Sequence, residues 1–154
     1  MESLLEATGV YVGTLLVGIL SGLVPVVNSE LFIAVAIRLF LLDGGLLGVI
    51  AVGLLMALGE MIAKVGLYQA AQRGSELASG KLAVQLARAR ARVDKWRSKP
   101  LSILFISGVV GLPPFYLIAL VAGLLRIRFT TFLWVGMVGR TIRFVGLAVM
   151  VYYV

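Results

Sequence analysis

Five ionisable residues stand inside stretches that are otherwise almost wholly apolar: Glu30, Glu60, Lys64, Arg140 and Arg143. At membrane depth each costs at least about 2.5–3.5 kcal/mol, so such groups persist where they pair with one another or handle an ion or substrate. Glu60 and Lys64 are four apart, on one helix face, and can pair. Arg140 and Arg143 are three apart and share a face, and two guanidinium groups suit a phosphate. Asn28 or Ser29 caps a helix that restarts after Pro25, which leaves unpaired backbone N–H groups aimed at the same region. Glu30, beside that break, can take up a proton and couple it to movement of a bound anion. Pro113 and Pro114 begin a second such helix. A structural reading stands beside this one: the charges neutralise one another and fix a bundle, Lys64 above all.

Other chemistry lacks raw material. The 154 residues contain no Cys and no His, which removes disulfides, thiol catalysis, zinc sites of the usual kind and Ser-His-Asp triads. No metal, cofactor or enzymatic centre is expected. No small-residue cleavage site follows the first apolar stretch, so no signal peptide is read there.

The elements that must position these groups follow from hydropathy. Hydrophobic residues make up 61% and charged ones 14% of the chain, and the mean hydropathy is +1.08. Soluble domains hold roughly 45–50% apolar residues. The composition therefore predicts an all-α integral membrane protein of one domain. Most of the net charge of +7 sits in residues 73–99, where eight basic side chains face two acids, Glu76 and Asp94. Such a cluster marks the cytoplasmic side and contact with anionic headgroups. Nucleic acid is not the expected partner, because only Trp96 interleaves the basic residues. Leu82, Leu86, Ala89, Val93 and Trp96 recur at helical spacing, with Arg88, Arg90, Arg92, Lys95 and Arg97 among them. This predicts a basic amphipathic helix lying at the membrane surface, packed beneath the bundle, or paired with a second copy.

Length decides the crossings. Residues 8–42 would run about 52 Å as one helix, too long for one span and short for two, with Pro25 in the middle. A re-entrant hairpin fits. Residues 100–125 are long enough for one crossing, but that would carry Arg126 and Arg128 away from the basic side. Folding back at Pro113-Pro114 returns them. Residues 44–72 and 129–154 each make a span.

The halves also match. Ser21-Gly22-Leu23-Val24 aligns with Ser107-Gly108-Val109-Val110, and Gly59-Glu60-Met61-Ile62 with Gly139-Arg140-Thr141-Ile142. The first repeat covers 1–72 and the second 100–154. With 73–99 cytoplasmic the two hairpins open on opposite faces, an inverted plan in which broken helices meet at a midplane site. Arg38 on the outer side counts against this orientation and is partly offset by Asp43. The alignment sets Glu60 and Arg140 at equivalent positions, where they can meet.

These residues also carry a likeness. Pro25 with Asn28-Ser29-Glu30-Leu31, Gly59-Glu60 with Gly66-Leu67-Tyr68 and Arg73-Gly74, Leu112-Pro113-Pro114, Ala122-Gly123-Leu124-Leu125-Arg126-Ile127, and Gly139-Arg140 with Arg143-Phe144 resemble, in order and spacing, the DedA or SNARE-associated (VTT-domain) membrane protein family. The resemblance spans roughly residues 15–150 and is nearest the compact bacterial branch. It implies two opposed re-entrant hairpins in the inner membrane and movement of undecaprenyl phosphate or phospholipid between leaflets, driven by a proton or sodium gradient. It also implies that Glu30 stands for the family's essential hairpin acid. Many members carry arginines shortly before the second hairpin's proline, whereas Ile103 to Leu112 hold none, so Arg140 and Arg143 supply that charge or the substrate differs. A small-solute or drug exporter and a non-transporting scaffold acting through the basic helix are the other classes.

Overall fold

A computed structural model describes residues 2–24, 26–41, 45–95, 99–112 and 114–154, with side chains for all of these but 2–7, 40–41, 89, 92–95 and 99–100. Pro25, Pro113, Trp96 and Arg97 therefore lie outside the described residues, as do the side chains of Arg92 and Lys95. Among the described residues every regular element is helical: α1 (Glu2–Leu23), α2 (Ser29–Ala36) continued by a π-helical turn (Ile37–Leu41), α3 (Gly45–Leu77), α4 (Gly80–Lys95), α5 (Lys99–Val110), α6 (Phe115–Leu124) and α7 (Phe129–Tyr153). The order is broken hairpin, long helix, basic helix, broken hairpin, long helix. Among the described residues two helices, α3 and α7, are long and apolar enough to cross a membrane. α3 continues five residues beyond the apolar span that ends at 72, into the start of the basic segment.

The chain forms two compact units. The first comprises Met1–Ala63 with Arg140–Val154. In it α1 and α2 pack side by side, and Ile33, Ile37, Val49, Val52, Met56, Ala57, Phe144 and Ala148 form a buried apolar core. The crossing of α1 and α3 is unusually close. A Cβ on Gly18 would stand 2.9 Å from the Met56 carbonyl oxygen and 3.1 Å from Gly59 Cα. Gly18-xxx-Gly22 on α1 faces Gly59-xxx-Ala63 on α3, a small-residue pattern that lets two helix backbones touch.

The second unit is Lys64–Gly139. Here α5 and α6 pack against each other. At 12 and 10 residues both fall short of a ~30 Å hydrocarbon core. Tyr68, Phe132 and Phe115 stack in succession inside, with centroids 4.9 and 6.1 Å apart. The end of α6 is a Schellman turn: Ile127 N–H donates to the Ala122 carbonyl at 3.0 Å and Arg126 N–H to that of Gly123 at 3.1 Å. Arg126 holds the left-handed position, φ 54°, where glycine normally sits. The Arg90 guanidinium donates twice to the Leu124 carbonyl, at 2.9 and 3.2 Å, and the Tyr68 hydroxyl donates to that of Ile127 at 2.5 Å. Arg90 thus serves a helix end, while Arg88 remains exposed on α4. Substituting Arg126→Gly should raise thermal stability in detergent by up to about 1 kcal/mol. The half-exposed Arg126–Glu76 pair at 3.5 Å offsets only a few tenths.

Candidate functional site

The polar groups of the first unit converge on one carboxylate. Glu60 is 5% exposed, held inside by the close α1–α3 crossing described above. Its Oε1 accepts from the Ser21 hydroxyl on α1 and the Ser29 hydroxyl on α2, each at 3.2 Å. Its Oε2 pairs with Arg140 Nη1 at 3.1 Å. Arg140, on α7, is 6% exposed, and its guanidinium lies over the Phe144 ring at 5.7 Å. One acid therefore ties together four helices, including both arms of the first break.

A second pair stands beside the first: Arg143 Nη2 bonds Glu30 Oε1. The Glu30 side chain is 46% exposed, whereas that of Arg143 is 23% exposed. Arg143 Nη1 is buried and meets no acceptor.

The start of α2 differs from expectation in a way that matters for anion binding. Asn28 is the cap, not Ser29: its Oδ1 accepts from the backbone N–H of Glu30 and of Leu31, both at 3.0 Å. Phe32 N–H donates to the Asn28 carbonyl at 3.2 Å. The N–H groups expected to point unpaired into the region are thereby used, because the Asn side chain is just long enough to reach back over the first turn. Ser29 is then free to turn its hydroxyl to Glu60. α6 begins after Pro114, whose side chain makes no cap. It belongs to the second unit.

So the structure gathers Ser29, Glu60 and Arg140 in one cluster and Glu30 with Arg143 in a neighbouring pair. Lys64, one turn beyond Glu60 on α3, is also buried. Ser21 was not singled out by its sequence. Its place in Ser21-Gly22, the dipeptide that repeats as Ser107-Gly108, was the available signal: a hydroxyl one residue from a close-packing glycine sits where helices touch. Among the described residues there is no group of three or more acidic, His or Cys side chains that can hold a metal. Comparison with family models, curated proteins and solved structures finds no match for this chain.

Proposed function

We propose that this is a multi-pass inner-membrane protein that moves an anionic lipid, undecaprenyl phosphate or a phospholipid, between leaflets. The observation that carries the proposal is the pairing of two carboxylates with two guanidinium groups, one pair fully buried, beside a helix break. A purely structural bundle gains little from such pairs, since buried ion pairs rarely out-stabilise apolar packing. Arginine released from its carboxylate is a strong phosphate ligand, and Arg143 already holds a buried donor without an acceptor.

Membrane insertion is supported by α3 and α7. On α7 the exposed Trp134 and Tyr153 stand nineteen residues apart, about 28 Å along the helix, the spacing of the two aromatic belts of a bilayer. The brevity of α5 and α6 favours a second hairpin that dips in and returns. Arg126 lies beside Glu76 at the end of α3 and next to the α6 end held by Arg90, which favours placing both with the basic segment in the cytoplasm. The helix order, repeated twice around α4, fits the opposed hairpins that the DedA resemblance implies.

Reconstitution into proteoliposomes tests the reading. Labelled undecaprenyl phosphate or phospholipid should cross in the presence of the protein, and Arg140→Gln should slow it roughly ten- to a hundred-fold, the worth of a charge-assisted hydrogen bond. Efflux of a water-soluble substrate without lipid movement would establish the exporter instead.

A further inference from the structure

The Glu60 carboxylate holds the two arms of the α1–α2 hairpin unequally. Oε2 is committed to Arg140, so Oε1 is the oxygen at which a proton can add. Once it has added, Oε1 donates one hydrogen bond and, being neutral, becomes a much weaker acceptor. Ser21 can receive that hydrogen bond, because its own hydroxyl proton has a second acceptor, the Gly18 carbonyl at 3.0 Å. The relay from Glu60 O–H to Ser21 Oγ to Gly18 C=O leaves every group on α1 satisfied. Ser29 has no such alternative, since Glu60 is the acceptor its hydroxyl uses. It loses a charge-assisted bond, about twice as strong as a neutral one.

We propose that Glu60 is a proton-operated clasp: protonation of Oε1 keeps α1 in place through Ser21 and releases Ser29, and with it the first turn of α2. This rests on the transport reading and names its coupling acid, a buried one rather than the half-exposed Glu30. The rest of the geometry confines the movement to that turn. α1 is locked to α3 by Gly18 and Gly22, and the far end of α2 is anchored by buried Ile33 and Ile37. Between α1 and α2 lies Val26, 89% exposed. After release, the Glu30–Arg143 pair still ties that turn to α7, and the Asn28 cap keeps it helical. The charged group bonded to Glu60 is Arg140; Arg143 follows one turn on along α7 and pairs with Glu30, which itself follows Ser29 on α2, Lys64 lies one turn on along α3, and the α1 residues that meet Glu60, Ser21 and Gly22, are uncharged. Proton uptake removes one of the two negative charges beside the arginines and so favours an anionic headgroup at Arg143, whose buried Nη1 has no acceptor. Proton and anion binding are thereby coupled.

The absence of cysteine allows unique spin labels at Leu31→Cys on α2 and Leu58→Cys on α3, both exposed positions. Their distance is measured in the full-length protein in liposomes at about pH 8 and about pH 4.5. The unsubstituted site should give one narrow distance at the higher pH and a second, longer population at the lower. Glu60→Gln and Ser29→Ala should show the longer population at both. Ser21→Ala should stay narrow at both, because the protonated acid must then donate to Ser29. Glu30→Gln should keep the pH response. A distance indifferent to pH, a response that survives Glu60→Gln, or one abolished by Glu30→Gln overturns the clasp. Lipid transport measured on the same proteoliposomes separates that result from failure of the transport reading itself.

Discussion

Replacing Arg140 with leucine is expected to destabilise the protein by about 3–5 kcal/mol, the usual result of leaving one partner of a buried ion pair behind. Glu60 would keep its two hydroxyl donors but lose the cation on Oε2, and the contact with the Phe144 ring would go as well. The double replacement Glu60→Leu with Arg140→Leu should recover most of that loss. What remains is the Ser29 hydroxyl, buried without its acceptor, at about 1–3 kcal/mol. Ser21 keeps the Gly18 carbonyl and adds nothing to the deficit. Unfolding in detergent measures both variants, and the proteoliposome assay for the proposed lipid movement compares them with the native chain. A double variant that is stable and inactive separates what the pair does for function from what it does for folding. A single variant as stable as the native protein would mean that Glu60 is not held as the geometry requires.

The second large effect belongs to Gly59. A Cβ there would come within 3.0 Å of Gly18 Cα and of the Ile19 backbone nitrogen, and nearer still to the Leu15 carbonyl. All three are backbone atoms and cannot swing aside. Gly59→Val should therefore force α1 and α3 apart, at about 1–3 kcal/mol or more, and carry Ser21 out of reach of Glu60. On the proposed transport reading, lipid movement should be lost completely even where the variant remains folded. Gly66, on the same helix, is the control. Its added Cβ would meet nothing within 4 Å, so Gly66→Ala should be neutral or stabilising by about 0.5–1 kcal/mol. Equal behaviour of the two variants in thermal unfolding would show that α1 and α3 do not cross this closely.

Much of this architecture is legible in the chain because its signals are local. Proline, polar triplets and apolar run lengths place the breaks between α1 and α2 and between α5 and α6, and helical periodicity places α4. Glu60 and Arg140 were brought together on the internal repeat alone. What escaped depends on reach between helices. Asn28 and Ser29 are both good caps by type, and only the geometry of the first turn decides that Asn28 takes the backbone while Ser29 takes Glu60. Arg90 looks like one of several surface arginines until the α6 carbonyl it meets is known. Glu30 and Glu60 are alike as residues in apolar sequence. Their difference in burial comes from the glycines opposite Glu60, which let two backbones close over it.

The π-helical turn at Ile37–Leu41 lies where the two halves cease to be equal in length. Six more residues separate Ala36 from Gly59 than separate Ala122 from Gly139. Where the later half ends its short arm in a Schellman turn, the earlier one continues its short arm into a π-helical turn. Removing six residues between Ala36 and Gly59 should thus give both halves the same distance from short arm to matching glycine, and a shortened chain that still folds would show that the surplus carries no contact the first unit needs.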